Sequence, residues 1–228
     1  MSRERKKEIL EFSKRIYQNG WVANHDGNLS CKLDDGNLLI TPTAMSKYDI
    51  KEQDLVVVNR SGKKIEGEKN PFSELNIHLA SYDMREDVTA CIHSHSPYAT
   101  AISISDYRID KILMAEFVVS LGDEIPVISY TRPGEEKTYE LIAQFIRKYN
   151  AIIMSGNGLV TVGKSLEQAY YRMELVEHYC KIVYIAKNFG QSSNVIPEDE
   201  PEFLLAKRTT AGLEPPFYKS EDKHIPES

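Results

Sequence analysis

A chain of 228 residues with 41% hydrophobic and 27% charged side chains can bury a sizeable core in one domain, and has the make-up of an ordinary globular protein. Its net charge of −6 argues against nucleic acid as a partner, and no apolar run approaches the roughly 18 residues a membrane span needs. The three cysteines, an odd number without C-x-x-C spacing and with no secretory signal ahead of them, point to a reduced, cytoplasmic protein.

Residues 3–19 place Ile9, Leu10, Phe12, Ile16 and Tyr17 at helical spacing, with Gly20 positioned to end the helix. Asn24-His25-Asp26-Gly27-Asn28 then turns the chain between two apolar stretches. It reads first as a plain loop; the alternative is a cradle of backbone N–H groups for an anion, with Asn28 as a further donor. Asp35-Gly36 makes a hairpin turn into a strand over 37–41, and Arg60 to Lys63 joins strands over 55–59 and 64–67, so the early chain is antiparallel.

Asn70-Pro71-Phe72-Ser73-Glu74 opens the next helix, with Asn70 as N-cap and Pro71 at the first helical position. Leu75, His78, Leu79 and Tyr82 follow at helical spacing and should face the core, which makes His78 a core or interface histidine. Glu74 falls in the first turn, where a carboxylate at the least complements the helix dipole.

In Val88-Thr-Ala-Cys-Ile-His-Ser-His-Ser96, apolar and polar residues alternate with the period of a strand. His93 and His95 are two apart, so both imidazoles leave one face and can converge on one point. Imidazole is the commonest metal ligand, and Zn²⁺ accepts its nitrogen readily. The plainer reading is a pair of polar residues facing solvent at a strand end.

Pro97 starts a short helix, and residues 111–121 are apolar without a clear period. An edge strand over 125–130 tolerates Pro126, and a helix follows over 135–149 with Leu141, Ile142, Phe145 and Ile146 inward. A buried strand over 151–154, the turn Ser155-Gly156-Asn157-Gly158 and a strand over 159–163 lead to Ser165 and Gln168, which cap a helix running to about residue 188. His178 on that helix reads as exposed or interfacial, with metal binding as the lesser alternative. Beyond Gly190 lie five of the ten prolines. The expectation is a folded domain over 1–190 and an extended C-terminal tail over 191–228.

The ordered set Gly27-Asn28-Leu29-Ser30, Ile40-Thr41-Pro42-Thr43, Ser73-Glu74 ahead of a helix, and His93-Ser-His-Ser-Pro-Tyr-Ala-Thr-Ala101 resembles the class II aldolase/adducin family, and Leu159 to Gly163 before a capped helix extends the likeness. The resemblance covers about residues 5–188. It implies an α/β fold, a three-layer α/β/α domain on a mostly antiparallel central sheet, assembled as a homotetramer. It implies a divalent metal, Zn²⁺ first with Mn²⁺ or Co²⁺ as alternatives, on His93 and His95, and Glu74 as the acid/base. It also implies a phosphate pocket matching Asn28, Thr43 and Ser73. The sequence departs from the family at Asn157, which stands where a third histidine ligand is usual and would offer a harder carboxamide oxygen. His25 replaces a threonine of the phosphate pocket and could still contact phosphate, Phe72 replaces a serine, and Ala44 replaces a glycine.

The function so implied is metal-dependent cleavage of a phosphorylated ketose to dihydroxyacetone phosphate and an aldehyde. The alternatives are epimerisation or dehydration on the same site, or a non-catalytic adducin-like module. Glu74 would serve best as a base with its pKa raised by burial.

Overall fold

The computed structural model describes residues 3–106, 109, 114–122, 124–190, 196–197, 200–211 and 213. Helix α1 (Arg3–Gln18) buries Ile9, Phe12 and Ile16 along one stripe. Strands β1 (Asn28–Lys32), β2 (Leu38–Ile40), β3 (Val56–Val58) and β4 (Lys64–Glu66) follow as two hairpins. Then come α2 (Leu75–Met84), β5 (Ala90–Ser94), α3 (Pro97–Ser103), α4 (Ala115–Leu121), β6 (Val127–Ile128), α5 (Glu136–Ile146), β7 (Ala151–Met154), β8 (Gly158–Gly163), α6 (Leu166–Asn188) and α7 (Glu200–Thr210). The eight strands form one sheet in the order β4-β3-β2-β1-β5-β8-β7-β6, antiparallel at every pairing except β6 with β7. Among the described residues no helix is long and apolar enough to cross a membrane.

Period-2 alternation divides the strand residues between two cores, one on each side of the sheet. Leu29, Cys31, Leu39 and Ile92 pack on one face beneath α1, α3, α4 and α6, together with Cys180 of α6. Leu38, Ile40, Val56, Val58, Cys91, Val160 and Val162 pack on the other beneath α2 and α5. This is the expected three-layer α/β/α arrangement on a mostly antiparallel sheet.

Two expectations are corrected. Helix α2 begins at Leu75 with Glu74 as its N-cap, not at Pro71 with Asn70 as cap. The Asn70 carbonyl is instead tied to the Thr43 N–H at 3.0 Å, which holds the approach to the helix against the turn after β2. The stretch beyond residue 190 is not simply extended, because it contains α7. That helix buries Leu204 and all of Arg208, whose guanidinium donates to the Val118 and Val119 carbonyls near the end of α4 at 3.2 and 2.8 Å. A buried guanidinium stabilises the packing only because it finds such acceptors. Residues 111–113 lie outside the described residues, while 115–121 form α4.

Candidate active site

Strand β5 lies inside the sheet between β1 and β8, and its register sets Asn28 opposite His93 on one side and Val160 opposite His93 on the other. His93 shares its parity with Cys91 and so emerges on the α2 side. The strand ends at Ser94, with His95 one residue beyond, and the two imidazole centroids stand 5.2 Å apart. Two glycines let neighbouring strands close on this corner. A side chain at Gly27 (φ +71) would meet the His93 carbonyl oxygen at 2.9 Å, and one at Gly158 (φ +91) would run into the Ser94 carbonyl and reach within 3.0 Å of His95 Cα.

The fully buried His93 ring sets its Nδ1 at 3.1 Å from the Leu159 carbonyl oxygen. Donation there makes Nε2, the nitrogen that faces Glu74, the atom that changes: it carries the free lone pair in the neutral ring and the second proton when the ring is charged. Glu74 Oε2 lies 3.4 Å from that Nε2, too long for a good hydrogen bond. The carboxylate is held instead by two carboxamides: Asn157 Nδ2 donates to Oε1 at 2.7 Å and Asn28 Nδ2 to Oε2 at 3.2 Å. Burial alone would push the Glu74 carboxyl up. The charge of His93 and these N–H donors outweigh it and hold the group well below the usual carboxylate range. The expected raised base is therefore reversed: Glu74 is a poised carboxylate. His93 moves the opposite way, since burial lowers its pKa but Glu74 raises it further, to a net increase. His95 is lowered by burial and then by the charge of His93.

The Nε2 atoms of His93 and His95 are both buried without a hydrogen-bond partner. Two orphaned imidazole nitrogens beside a carboxylate fit a cation, whose bonds would satisfy them. Among the described residues no group of three or more His, Cys, Asp or Glu closes into a metal cage, so the set is an open one. Asn157 turns its amide nitrogen to Glu74, and its carboxamide favours the charged form of His95.

The remaining residues expected at the site are arranged around its entrance. Thr43 and Ser73 are exposed, Ser73 directly before Glu74 and Thr43 tied through its N–H to Asn70. His25 is exposed in the turn before Asn28, and its carbonyl accepts from the buried Lys47 ammonium at 3.1 Å. Among the described residues no side-chain hydrogen bond joins His25, Thr43 or Ser73 to the Glu74 cluster. Ala44 adopts φ +55, so the position keeps the left-handed backbone that its usual glycine would take without strain. His178 is exposed on α6, while its neighbour Glu177 accepts the Tyr98 and Ala99 N–H groups that open α3, each at 2.9 Å.

The sequence model described as "Class II Aldolase and Adducin N-terminal domain" matches residues 7–184. The chain belongs to the class II aldolase and adducin family. It is 29% identical over 203 residues to 5-deoxy-D-ribulose 1-phosphate aldolase of Bacillus thuringiensis, covering 89% of this chain and 94% of that one. It is 33% identical over 181 residues to 3-oxo-tetronate 4-phosphate decarboxylase of Pectobacterium atrosepticum, covering 78% and 83%. A solved L-fuculose 1-phosphate aldolase superposes with a TM-score of 0.82 at 28% identity, covering 92% and 98%. Class II aldolases generally depend on a divalent metal, which accords with the paired orphan nitrogens here.

Four residues around this site were given no role in it from the sequence. Asp26 sets its Oδ2 3.7 Å from His95 Nδ1, on the far side of the ring from the unpartnered Nε2. Ser30, His78 and Tyr82 form a buried polar chain behind Asn28. The spacing held the clue: Ser30 is two residues after Asn28 on a strand, and His78 and Tyr82 are four and eight after Glu74 on a helix.

Proposed function

We propose that this chain is a cation-dependent aldolase that cleaves a phosphorylated ketose between C3 and C4, giving dihydroxyacetone phosphate and an aldehyde. The observation that carries the reading is the ionised Glu74 carboxylate fixed beside the buried, unpartnered Nε2 of His93. His93 and His95 would hold the cation, with Asn157 in the third position. Zn²⁺ is the first candidate and Mn²⁺ or Co²⁺ the alternatives. When bound, the cation supplies Lewis-acid stabilisation of the charge developing on the ketone and adjacent hydroxyl oxygens.

This chain's own residues do the rest. In the condensation direction Glu74 takes the carbon-bound proton of the donor ketone. In cleavage the C4 hydroxyl releases its proton to water as the C3–C4 bond breaks and the aldehyde forms. Glu74 takes one proton from water and delivers it to C3, so that the proton released and the proton taken up balance. Asn28 and Asn157 fix both carboxylate oxygens, so no reorganisation is needed at the moment of transfer. Thr43, Ser73 and His25 would receive the phosphate, with the N–H of Asn28 not spent on Glu74; anchoring the phosphate turns binding into orientation.

The decarboxylase relative supports a second reading on the same residues. Loss of CO₂ from a 3-oxo sugar-acid phosphate leaves an enediolate, and Glu74 would pass a proton taken from water to its carbon. Epimerisation would give one isomer, dehydration one sugar phosphate and water, and a non-catalytic module no product. The aldolase reading carries with it a cytoplasmic homotetramer; the exposed Tyr184 and Phe189 at the end of α6 support an assembly, which light scattering measures.

The deciding experiment presents ketose 1-phosphates and 3-oxo-acid phosphates to the protein with Zn²⁺, Mn²⁺ or Co²⁺, and assays dihydroxyacetone phosphate and CO₂ separately. The aldolase reading expects the triose phosphate, lost by roughly 10²–10⁴-fold in Glu74→Gln. Undiminished proton exchange of the donor ketone in Glu74→Gln would remove Glu74 as the base.

A further inference from the structure

We propose that His78 is a positioning residue that sets the Glu74 carboxylate through Asn28, as the middle of a one-way hydrogen-bond chain running Tyr82 to Ser30 to His78 to Asn28 to Glu74. The catalytic half of this inference rests on Glu74 being the base.

The chain alternates between helix and strand at every step. Tyr82 and His78 come from α2 and Glu74 from its N-cap, and Ser30 and Asn28 come from β1. Four residues of helix rise about 6 Å and two residues of strand about 6.6 Å. The two ladders therefore stay in step over two intervals, and each strand side chain sits between two helix side chains. The links are short: Tyr82 Oη to Ser30 Oγ is 2.7 Å, Ser30 Oγ to His78 Nδ1 is 2.6 Å, and His78 Nε2 to Asn28 Oδ1 is 2.6 Å. The last, Asn28 Nδ2 to Glu74 Oε2, is 3.2 Å.

The direction of every hydrogen bond follows from the end at Glu74. An ionised carboxylate only accepts, so Asn28 must face it with its amide nitrogen. The Asn28 oxygen then faces His78, and because that oxygen only accepts, the imidazole proton must be on Nε2. A neutral imidazole with its proton there has a bare Nδ1, so the Ser30 hydroxyl must donate to it. Ser30 has one proton to give, so the Tyr82 hydroxyl donates to Ser30. Burial of His78 pushes its pKa down to about 3, with the charge of His93 adding to the effect, which keeps the ring neutral as this order needs. Burial likewise pushes the Tyr82 phenol well above its ordinary value, so it keeps the proton it donates. Each donor polarises the next in the same sense, toward the carboxylate. Asn28 has no freedom to flip, because a flip would set oxygen against carboxylate and N–H against N–H.

Two substitutions separate this role from a packing role. In His78→Gln the amide nitrogen falls where Nε2 was, so the donor to Asn28 survives and the acceptor for Ser30 is lost. In His78→Asn the carbonyl falls where Nδ1 was, so the acceptor survives and the donor to Asn28 is lost. We measure the tautomer of His78 in the cation-free wild type by long-range ¹H–¹⁵N NMR, then exchange of the donor ketone's carbon-bound proton in both variants. The proposal expects the Nε2–H tautomer at neutral pH. It expects His78→Gln to stay within about tenfold of wild type. His78→Asn should fall by about 10²-fold in kcat with KM little changed, because misplacing a catalytic group is that costly. An Nδ1–H or charged His78 would overturn it, as would equal losses in the two variants or full exchange in His78→Asn. If both variants fail to fold, the wild-type tautomer alone decides the direction of the chain. A wild type with no exchange on any ketose phosphate overturns the aldolase reading, and the tautomer still decides the relay.

Discussion

Acid pH should unfold this protein in a way that reports on His78. The imidazole is fully buried and its pKa is about 3 against an ordinary 6.5; burial is the main cause, the His93 charge adds to it, and Glu74 pulls the other way. Between these values the unfolded chain binds a proton that the folded chain refuses. Stability is thus undiminished above pH 6.5 and is lost progressively as pH falls toward 3. At about 1.4 kcal/mol per pKa unit the loss approaches about 5 kcal/mol, comparable with the entire stability of many domains. Glu74 acts in the same direction, since its depressed carboxyl contributes stability that is present above the ordinary carboxylate range and lost on acidification. The assay is urea unfolding followed by fluorescence of Trp21, the single and buried tryptophan, from about pH 7.5 down to about pH 4.5. His78→Gln removes the titrating ring, so its stability should fall much less steeply between about pH 6.5 and 4.5 than that of wild type. Parallel slopes for the two proteins would refute the buried neutral imidazole and the reasoning built on it.

His93→Ala should abolish cation binding and nearly all turnover; one retained equivalent of metal with normal activity would show the ion to be elsewhere. Asn157→His should raise Zn²⁺ affinity relative to Mn²⁺, because imidazole suits the softer ion better than a carboxamide oxygen does. It also deprives Glu74 of its shortest hydrogen bond, so activity need not rise; identical titrations of the two apo proteins would show that position 157 does not face the ion. Gly158→Ala puts a methyl group against the Ser94 carbonyl and His95 at a left-handed φ, which should cost about 1–3 kcal/mol in thermal unfolding and displace His95. Unchanged stability and unchanged cation affinity in that variant would mean the corner is looser than the contacts require.

The sequence was most legible where short-range periodicity decides the outcome. The two early hairpins, the strand carrying His93 and the Ser165 cap all follow from patterns within a few residues. The start of α2 did not, because Asn70-Pro71 is a good local helix opening that the tie between Asn70 and Thr43 overrides. The helix α7 was hidden for a similar reason, since prolines on both sides of it suggested extended chain while the acceptors for Arg208 belong to α4, some 90 residues earlier. At the site, the residue types were visible but their pairing was not. That Glu74, His78 and Tyr82 share a helix face is readable from spacing; that Asn28 and Ser30 slot between them depends on how strand and helix are set side by side. The sign of the Glu74 shift needed the same information, because burial can be guessed from a motif but the two carboxamides and the imidazole that outweigh it cannot.

The placement of the three cysteines gives the folded state a built-in set of reporters. Cys31 and Cys180 belong to the core on one side of the sheet and Cys91 to the core on the other, and burial raises the Cys31 and Cys91 thiols to about 12 and Cys180 higher still. A buried thiol held this far from ionising is inert toward alkylating reagents. Modification must therefore await an opening of the structure, and the site that reacts names the layer that opened. Mass spectrometry of the labelled peptides would time the loss of the helices on each side of the sheet separately, with no substitution introduced.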